Sequence, residues 1–243
     1  MFSKDFEVDF IATDYKGLLL EHKFFYYAQE TSIADTNSRT RDVSFFHEKG
    51  LGWVFFNYSA KIHKLPKTYD KVTCTTAPIE FKGYFGDRGF VCKNEKGEVL
   101  FEAVLKLGLM DLVNKTLIKP DVEILDEYKP TMDKLDVSIK KSPKITEDFK
   151  VVKENDVEIY RHNTDLNGHT NNLTYIECAW DNIPTDVYND YCVTDAFVSF
   201  RKESFCGDIL NVITHYNDSE KEIISKFHKE DELIAEVYFK LEK

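Results

Sequence analysis

The stretches DYKGLLLEHKFFYYAQETSIADTN (residues 14–37) and DLNGHTNNLTYIECAWDNIP (residues 165–184) open on the same Asp-x-x-Gly and continue into apolar residues at helical spacing. Leu20, Phe24, Tyr27 or Ala28, and Thr31 share one helix face in the first. Leu173, Ile176, Trp180 and Ile183 do so in the second, where Pro184 marks the end. Each stretch follows the alternation of a half-buried strand. Phe6, Val8, Phe10 and Ala12 alternate with Glu7, Asp9 and Ile11; more weakly, Val157 and Ile159 alternate with Asp156, Glu158 and Tyr160.

The likeness continues downstream. IHKLPKTYDKVTCTT (62–76) and FRKESFCGDILNVIT (200–214) both read as strand, turn and strand, with Asp70 and Asp208 closing the turn at the same place. GEVLFEAVLKL (97–107) and DELIAEVYFKL (231–241) both read as a turn followed by an alternating strand. Three matches in the same order, differing only in loop length, point to an internal repeat. A long apolar helix among antiparallel strands is buried when the sheet curves around it. The chain therefore reads as α+β in two fused repeats, residues 1–110 and 148–243, joined by residues 111–147. That middle segment holds Pro120, Pro130 and Pro143 and no sustained periodicity, and is expected to run as a linker over the surface.

Composition narrows the function classes. With 243 residues, 42% hydrophobic and 14% aromatic, the chain can build a sizeable core. A formal charge of −11 disfavours a nucleic-acid partner, because phosphate binding needs a concentrated basic face. No run of apolar residues reaches membrane-spanning length, and the opening MFSKDFEVDF does not resemble a secretion signal. Cys74, Cys92, Cys178, Cys192 and Cys206 form no CxxC pair and read as reduced thiols, which points to the cytoplasm. The seven histidines have no ligand spacing, so neither a metal nor a cofactor is expected.

The chemistry concentrates in Asp165-Leu-Asn167-Gly168-His169-Thr-Asn171-Asn172-Leu-Thr-Tyr175, where a strand hands over to a helix. Unpaired first-turn N–H groups and the helix dipole favour developing negative charge there, as acyl transfer requires. Asn167 can position a water or a carbonyl, His169 can orient Asn167 or move a proton, and Asp165 can hold either Asn167 or the helix entry. The same residues also have ordinary roles: Asp165 as a helix N-cap, Gly168 for backbone geometry, Asn171 and Asn172 at a helix start. The repeats themselves discriminate. The first keeps Asp14 and Gly17 but has Lys16 and Leu18 where the second has Asn167 and His169, so one copy reads as structural and the other as functional.

The D-x-N-G-H-x-N-N-x-x-Y run, with F-R-K-E at 200–203 and the segment GWVFFNYSAKIHKLPKTYDKVTCTT (52–76), resembles the acyl-[acyl-carrier-protein] thioesterases, plastid and bacterial, over nearly the whole chain. The resemblance implies two hotdog repeats, each a curved antiparallel sheet around a long helix. It implies hydrolysis of a fatty acyl thioester of acyl carrier protein, reached through its phosphopantetheine-linked chain, which ends elongation. The family's catalytic groups fall on Asp165, Asn167, His169 and Glu203. Ser204, Asn171, Asn172, Arg201 and Lys202 are the accompanying substrate-contact candidates. Two positions depart from the pattern. Ser204 replaces a Cys common in the family, which excludes a cysteine nucleophile there, and Asn163 replaces an Asp. The expected mechanism is direct hydrolysis, with Glu203 as general base on a water held by Asn167 and His169 and with helix N-terminal amides around the oxyanion.

The acyl chain is expected against the first repeat, among Phe24, Phe25, Tyr26, Tyr27, Trp53, Phe55 and Phe56, residues that serve a core equally well. An acidic carrier docking on an acidic chain needs a local basic patch. Arg201 and Lys202 are best placed for it, followed by Lys61, Lys64, Lys67 and Lys71. The rival readings are an acyl-CoA thioesterase of the same fold and a non-catalytic acyl-thioester-binding regulator. The latter normally brings a DNA-binding helix-turn-helix, which is not visible here. A monomer and a homodimer both fit two fused repeats.

Overall fold

Phe2 to Glu7 alternate half-buried and exposed, as a sheet-edge strand does, and form β1 (Phe2–Glu7). The computed structural model describes residues 1–137 and 141–243, and the chain divides into two units, residues 1–138 and 139–243. In the first, β1 is followed by α1 (Lys23–Asn37), a short α2 (Val43–Glu48), and strands β2 (Leu51–Ile62), β3 (Lys71–Lys82), β4 (Phe85–Asn94), β5 (Val99–Asp111) and β6 (Thr116–Ile118). A third helix, α3, spans Val122–Glu127. All pairings are antiparallel, in the order β1-β3-β4-β5-β2, with β6 added to β5.

The second unit runs β7 (Lys150–Glu158), α4 (Asn172–Asp181), α5 (Thr185–Asp190), β8 (Cys192–Phe200), β9 (Ile209–Asn217), β10 (Glu222–Lys229) and β11 (Glu232–Glu242). Its strands pair antiparallel in the order β7-β9-β10-β11-β8, the permutation found in the first unit. Register shifts interrupt β2, β3 and β4 in one unit and β7, β10 and β11 in the other, the devices by which a sheet bends.

Bending lets one helix meet many strands. Tyr27 of α1 stacks on Phe6 of β1 at 4.3 Å, Phe24 on Phe101 of β5 at 5.0 Å, and Phe25 meets Tyr58 of β2 edge-on at 5.6 Å. Phe24, Phe25, Tyr58 and Phe101 are all buried, each contributing roughly 1.5–3 kcal/mol by leaving water. In the second unit Tyr175 of α4 plays this part, touching Phe200 of β8 and Phe227 of β10. The buried face of α4 is Thr174, Tyr175, Ile176 and Ala179; Leu173 and Trp180, expected inside, are only half-buried. At the far end of α1, Asp35 is also buried, and its carboxylate is met by Arg88 Nη1 at 2.8 Å and by both Nη2 contacts of Arg39, at 2.8 and 2.9 Å. A charge can sit there only because both partners are fixed in place.

Two expectations need correcting. The alternation over residues 6–12 is not one strand: β1 ends at Glu7, and Phe10–Ala12 form a 3-10 turn in which Phe10 and Ile11 are exposed. The segment after residue 111 is more than a surface linker. Its β6 pairs with β5, Asp121 caps α3 through Ile124 N at 2.8 Å, and Ile124 and Tyr128 are buried with Phe46 and Leu109. Thr131 N and Met132 N then donate to Pro78 O. A three-residue strand and a six-residue helix are too short to leave a periodic trace.

Candidate active site

The second unit's site begins with a turn. Asp165 Oδ1 accepts from Asn167 N at 2.8 Å and His169 N at 3.1 Å, Asp165 N donates to His169 O, and Gly168 N to Asp165 O. Gly168 takes φ +79°, a conformation that a side chain disfavours. Asp165 thus organises the turn and does not cap the helix. The N-cap of α4 is Asn171, whose Oδ1 accepts from Leu173 N at 3.0 Å, and Asn172 is the first helical residue.

The same turn exists in the first unit. Asp14 Oδ1 accepts from Lys16 N at 2.8 Å and Leu18 N at 2.9 Å, Asp14 N donates to Leu18 O, and Gly17 has φ +72°. The following contacts match as well. Leu18 bridges Lys67 as His169 bridges Phe205, and Leu19 N donates to Pro66 O as Thr170 N does to Ser204 O. Asp70 Oδ2 accepts from Lys67 N, and Asp208 Oδ2 from Phe205 N. By this register Leu65 stands where the second unit has Glu203. One backbone scaffold is built twice, carrying Lys16, Leu18 and Leu65 in one copy and Asn167, His169 and Glu203 in the other.

The bridge between His169 and Phe205 draws together two segments distant in sequence. It sets His169 Nε2 at 3.6 Å from Glu203 Oε1, with the Phe205 ring edge-on to the imidazole at 5.3 Å. The imidazole is half-buried, its side chain 22% exposed, whereas Asp165, Asn167 and Glu203 are exposed residues. Asn167 thus stands at the open tip of the turn, next but one to His169.

Three expectations are modified. Leu173 N and Thr174 N are already taken by the Oδ1 and the main-chain oxygen of Asn171, so those first-turn amides of α4 are not open to an oxyanion. Ser204, expected to meet substrate, is 1% exposed, and its hydroxyl lies 2.6 Å from Thr170 Oγ1 and 2.7 Å from the Tyr175 hydroxyl, facing the interior. Arg201 N and Lys202 N both donate to Ile234 O, leaving their side chains exposed, but the Lys202 ammonium is paired with Glu232. Lys64 and Lys71 are likewise paired, with Glu98 and Glu95. The roles of Thr170 and Phe205 escape sequence reasoning altogether, because both act through partners more than thirty residues away.

Among the described residues, no group of His, Cys, Asp or Glu is arranged to hold a metal ion, and no helix is long and apolar enough to cross a membrane.

Comparison with known proteins gives concordant matches. The family model for the acyl-ACP thioesterase N-terminal domain matches residues 1–128, and that for the C-terminal domain matches residues 146–238. Oleoyl-acyl carrier protein thioesterase 2 of Arabidopsis thaliana, a chloroplast protein, is 27% identical over 187 residues, covering 72% of this chain and 50% of its own length. The chain spans about half the length of the curated relatives it matches. An acyl-ACP thioesterase from Bacteroides thetaiotaomicron superposes with a TM-score of 0.85 at 20% identity, covering 99% of this chain and 97% of that one. The 12:0-ACP thioesterase from Umbellularia californica gives 0.87 at 14% identity, with 99% and 96% covered. At such identities these two structures establish the double hotdog fold.

Proposed function

Because the chain belongs to the acyl-ACP thioesterase family, we propose that it hydrolyses the thioester between a fatty acyl chain and the phosphopantetheine of acyl carrier protein, with the second repeat as the catalytic one. The observation that carries this reading is the closeness of His169 Nε2 and Glu203 Oε1, 3.6 Å apart on a scaffold whose first-repeat copy holds Leu18 and Leu65 instead.

The chemistry follows from that spacing. At 3.6 Å the two groups are too far apart for a good mutual hydrogen bond, yet close enough for one water to bond both. Glu203 takes a proton from this water, and the water oxygen attacks the thioester carbonyl carbon. With the Leu173 and Thr174 amides engaged, the exposed Asn167 carboxamide is the donor we assign to the oxyanion, assisted by the positive end of the α4 dipole. When the tetrahedral intermediate collapses, the C–S bond breaks, the thiolate leaves, and the proton on Glu203 returns to sulfur. Asp165 contributes by fixing the turn that carries Asn167 and His169. Arg201 is the basic group we assign to carrier docking, since Lys202 is already paired. Cys74, Cys92, Cys178 and Cys206 carry free thiols, which suits a reducing compartment such as the cytoplasm.

Thiol release from matched acyl-carrier-protein and acyl-CoA substrates tests both parts. Glu203→Gln and Asn167→Ala are expected to lower turnover at least about a hundredfold, the usual weight of a general base or an oxyanion donor. Near-wild-type turnover in either would remove the assignment, and faster cleavage of acyl-CoA would make the nucleotide thioester the substrate.

A further inference from the structure

Behind the Glu203–His169 pair lies a chain of three hydroxyls: Thr170 Oγ1, Ser204 Oγ and the Tyr175 hydroxyl. Ser204 stands in the middle, at 2.6 and 2.7 Å, and all three residues are buried. Thr170 directly follows His169, Ser204 directly follows Glu203, and Tyr175 belongs to α4. In the first repeat the corresponding places hold Leu19, Pro66 and Phe24, and no hydroxyl remains. The backbone is nevertheless the same there, with Leu19 N to Pro66 O at 2.9 Å against Thr170 N to Ser204 O at 2.8 Å. The fold forms this junction with apolar side chains, so the hydroxyls are not required to make it. Burying them has a desolvation cost that only their mutual bonds offset.

We infer that Ser204, Thr170 and Tyr175 are positioning residues. Their hydroxyl chain ties the His169 and Glu203 segments to α4 and holds the imidazole and carboxylate at the separation that one water can bridge. This rests on Glu203 and His169 being the catalytic pair. It also gives Ser204 a role other than nucleophile: its oxygen is buried and already bonded on both sides. Burial keeps the Tyr175 phenol protonated, raising its pKa against the opposing pull of the Ser204 and Thr170 hydroxyls, so it remains a hydrogen-bond donor across the working range.

The test uses the full chain and an acyl-carrier-protein thioester. The triple variant T170V/Y175F/S204A removes every hydroxyl at once and leaves none orphaned, which keeps the change in stability small. Its kcat is expected to fall on the order of tenfold to a hundredfold, with KM little changed and the pH profile of kcat displaced, because a loosened pair no longer shares its water in one geometry. Tyr175→Phe alone, which keeps the ring packing, is expected to show the same changes more weakly. Wild-type kcat and pH profile in either variant, provided it is folded by circular dichroism, would overturn the inference. So would an acyl-serine adduct at Ser204, trapped from the wild-type enzyme and detected by mass spectrometry. Glu203→Gln, measured alongside, separates the two readings. If it is fully active, the catalytic pair itself is wrong; if it is inactive while both hydroxyl variants are unimpaired, only the positioning role fails.

Discussion

Replacing Asp165 by Ala, with Asp14→Ala as its internal control, separates what the turn does for the fold from what it does for catalysis. Each carboxylate accepts two backbone N–H bonds in the same pattern, at 2.8 and 3.1 Å for Asp165 and at 2.8 and 2.9 Å for Asp14. At roughly 0.5–1.5 kcal/mol net per bond, either variant is expected to lose about 2 kcal/mol of stability. The catalytic consequences should differ sharply. Asp14 shapes a turn bearing Lys16 and Leu18, so Asp14→Ala keeps its turnover under conditions where it is folded. Asp165→Ala releases the N–H groups of Asn167 and His169, and a displacement of about 1 Å at such groups costs on the order of a hundredfold in rate. Urea unfolding gives the first quantity, and thiol release from an acyl-carrier-protein thioester well below the unfolding transition gives the second. Equal losses of activity in the two variants would refute the claim that one scaffold is functional and the other structural. A stability loss several-fold larger at Asp165 would refute their structural equivalence.

Two further outcomes concern stability. Ile124→Ala is expected to cost about 2–5 kcal/mol, because Ile124 is buried against Phe46 and Leu109; an unchanged urea midpoint would return α3 to the status of a surface linker. His22 is buried, and burial followed by the neighbouring Lys23 charge pushes its pKa down to about 3. Between that value and the ordinary 6.5 the unfolded chain binds more protons than the folded one, so stability rises with pH across this window and is lost on acidification. Going from pH 7 to pH 5 should therefore cost about 2 kcal/mol through this residue alone, and His22→Gln should show a correspondingly shallower pH dependence of its urea midpoint. Identical slopes for the two proteins would mean that His22 does not titrate in this way.

How much the residues disclosed depends on how local the signal was. The internal repeat was legible because its markers are local and physical. Asp-x-x-Gly marks a turn whose glycine needs positive φ, Asp70 and Asp208 close loops by capping them, and long strands and helices leave apolar periodicity. Asn167 and His169 stood out because their counterparts Lys16 and Leu18 cannot do their chemistry. Short elements such as α3 and β6 left no trace, and alternation misread Phe10–Ala12 as strand, since a 3-10 turn at a strand end can show the same pattern over a few residues. Helix N-terminal amides were expected to face an oxyanion, but Asn171, a residue any helix start favours, had already taken two of them. What the sequence alone determined was which repeat bears polar, reactive groups; side-chain identity is enough for that. Only the tertiary structure decided that Glu203 meets His169 and that Ser204 turns inward to Thr170 and Tyr175. Those contacts join positions about thirty residues apart, and their distances are set by a β-bridge whose partners no local pattern encodes.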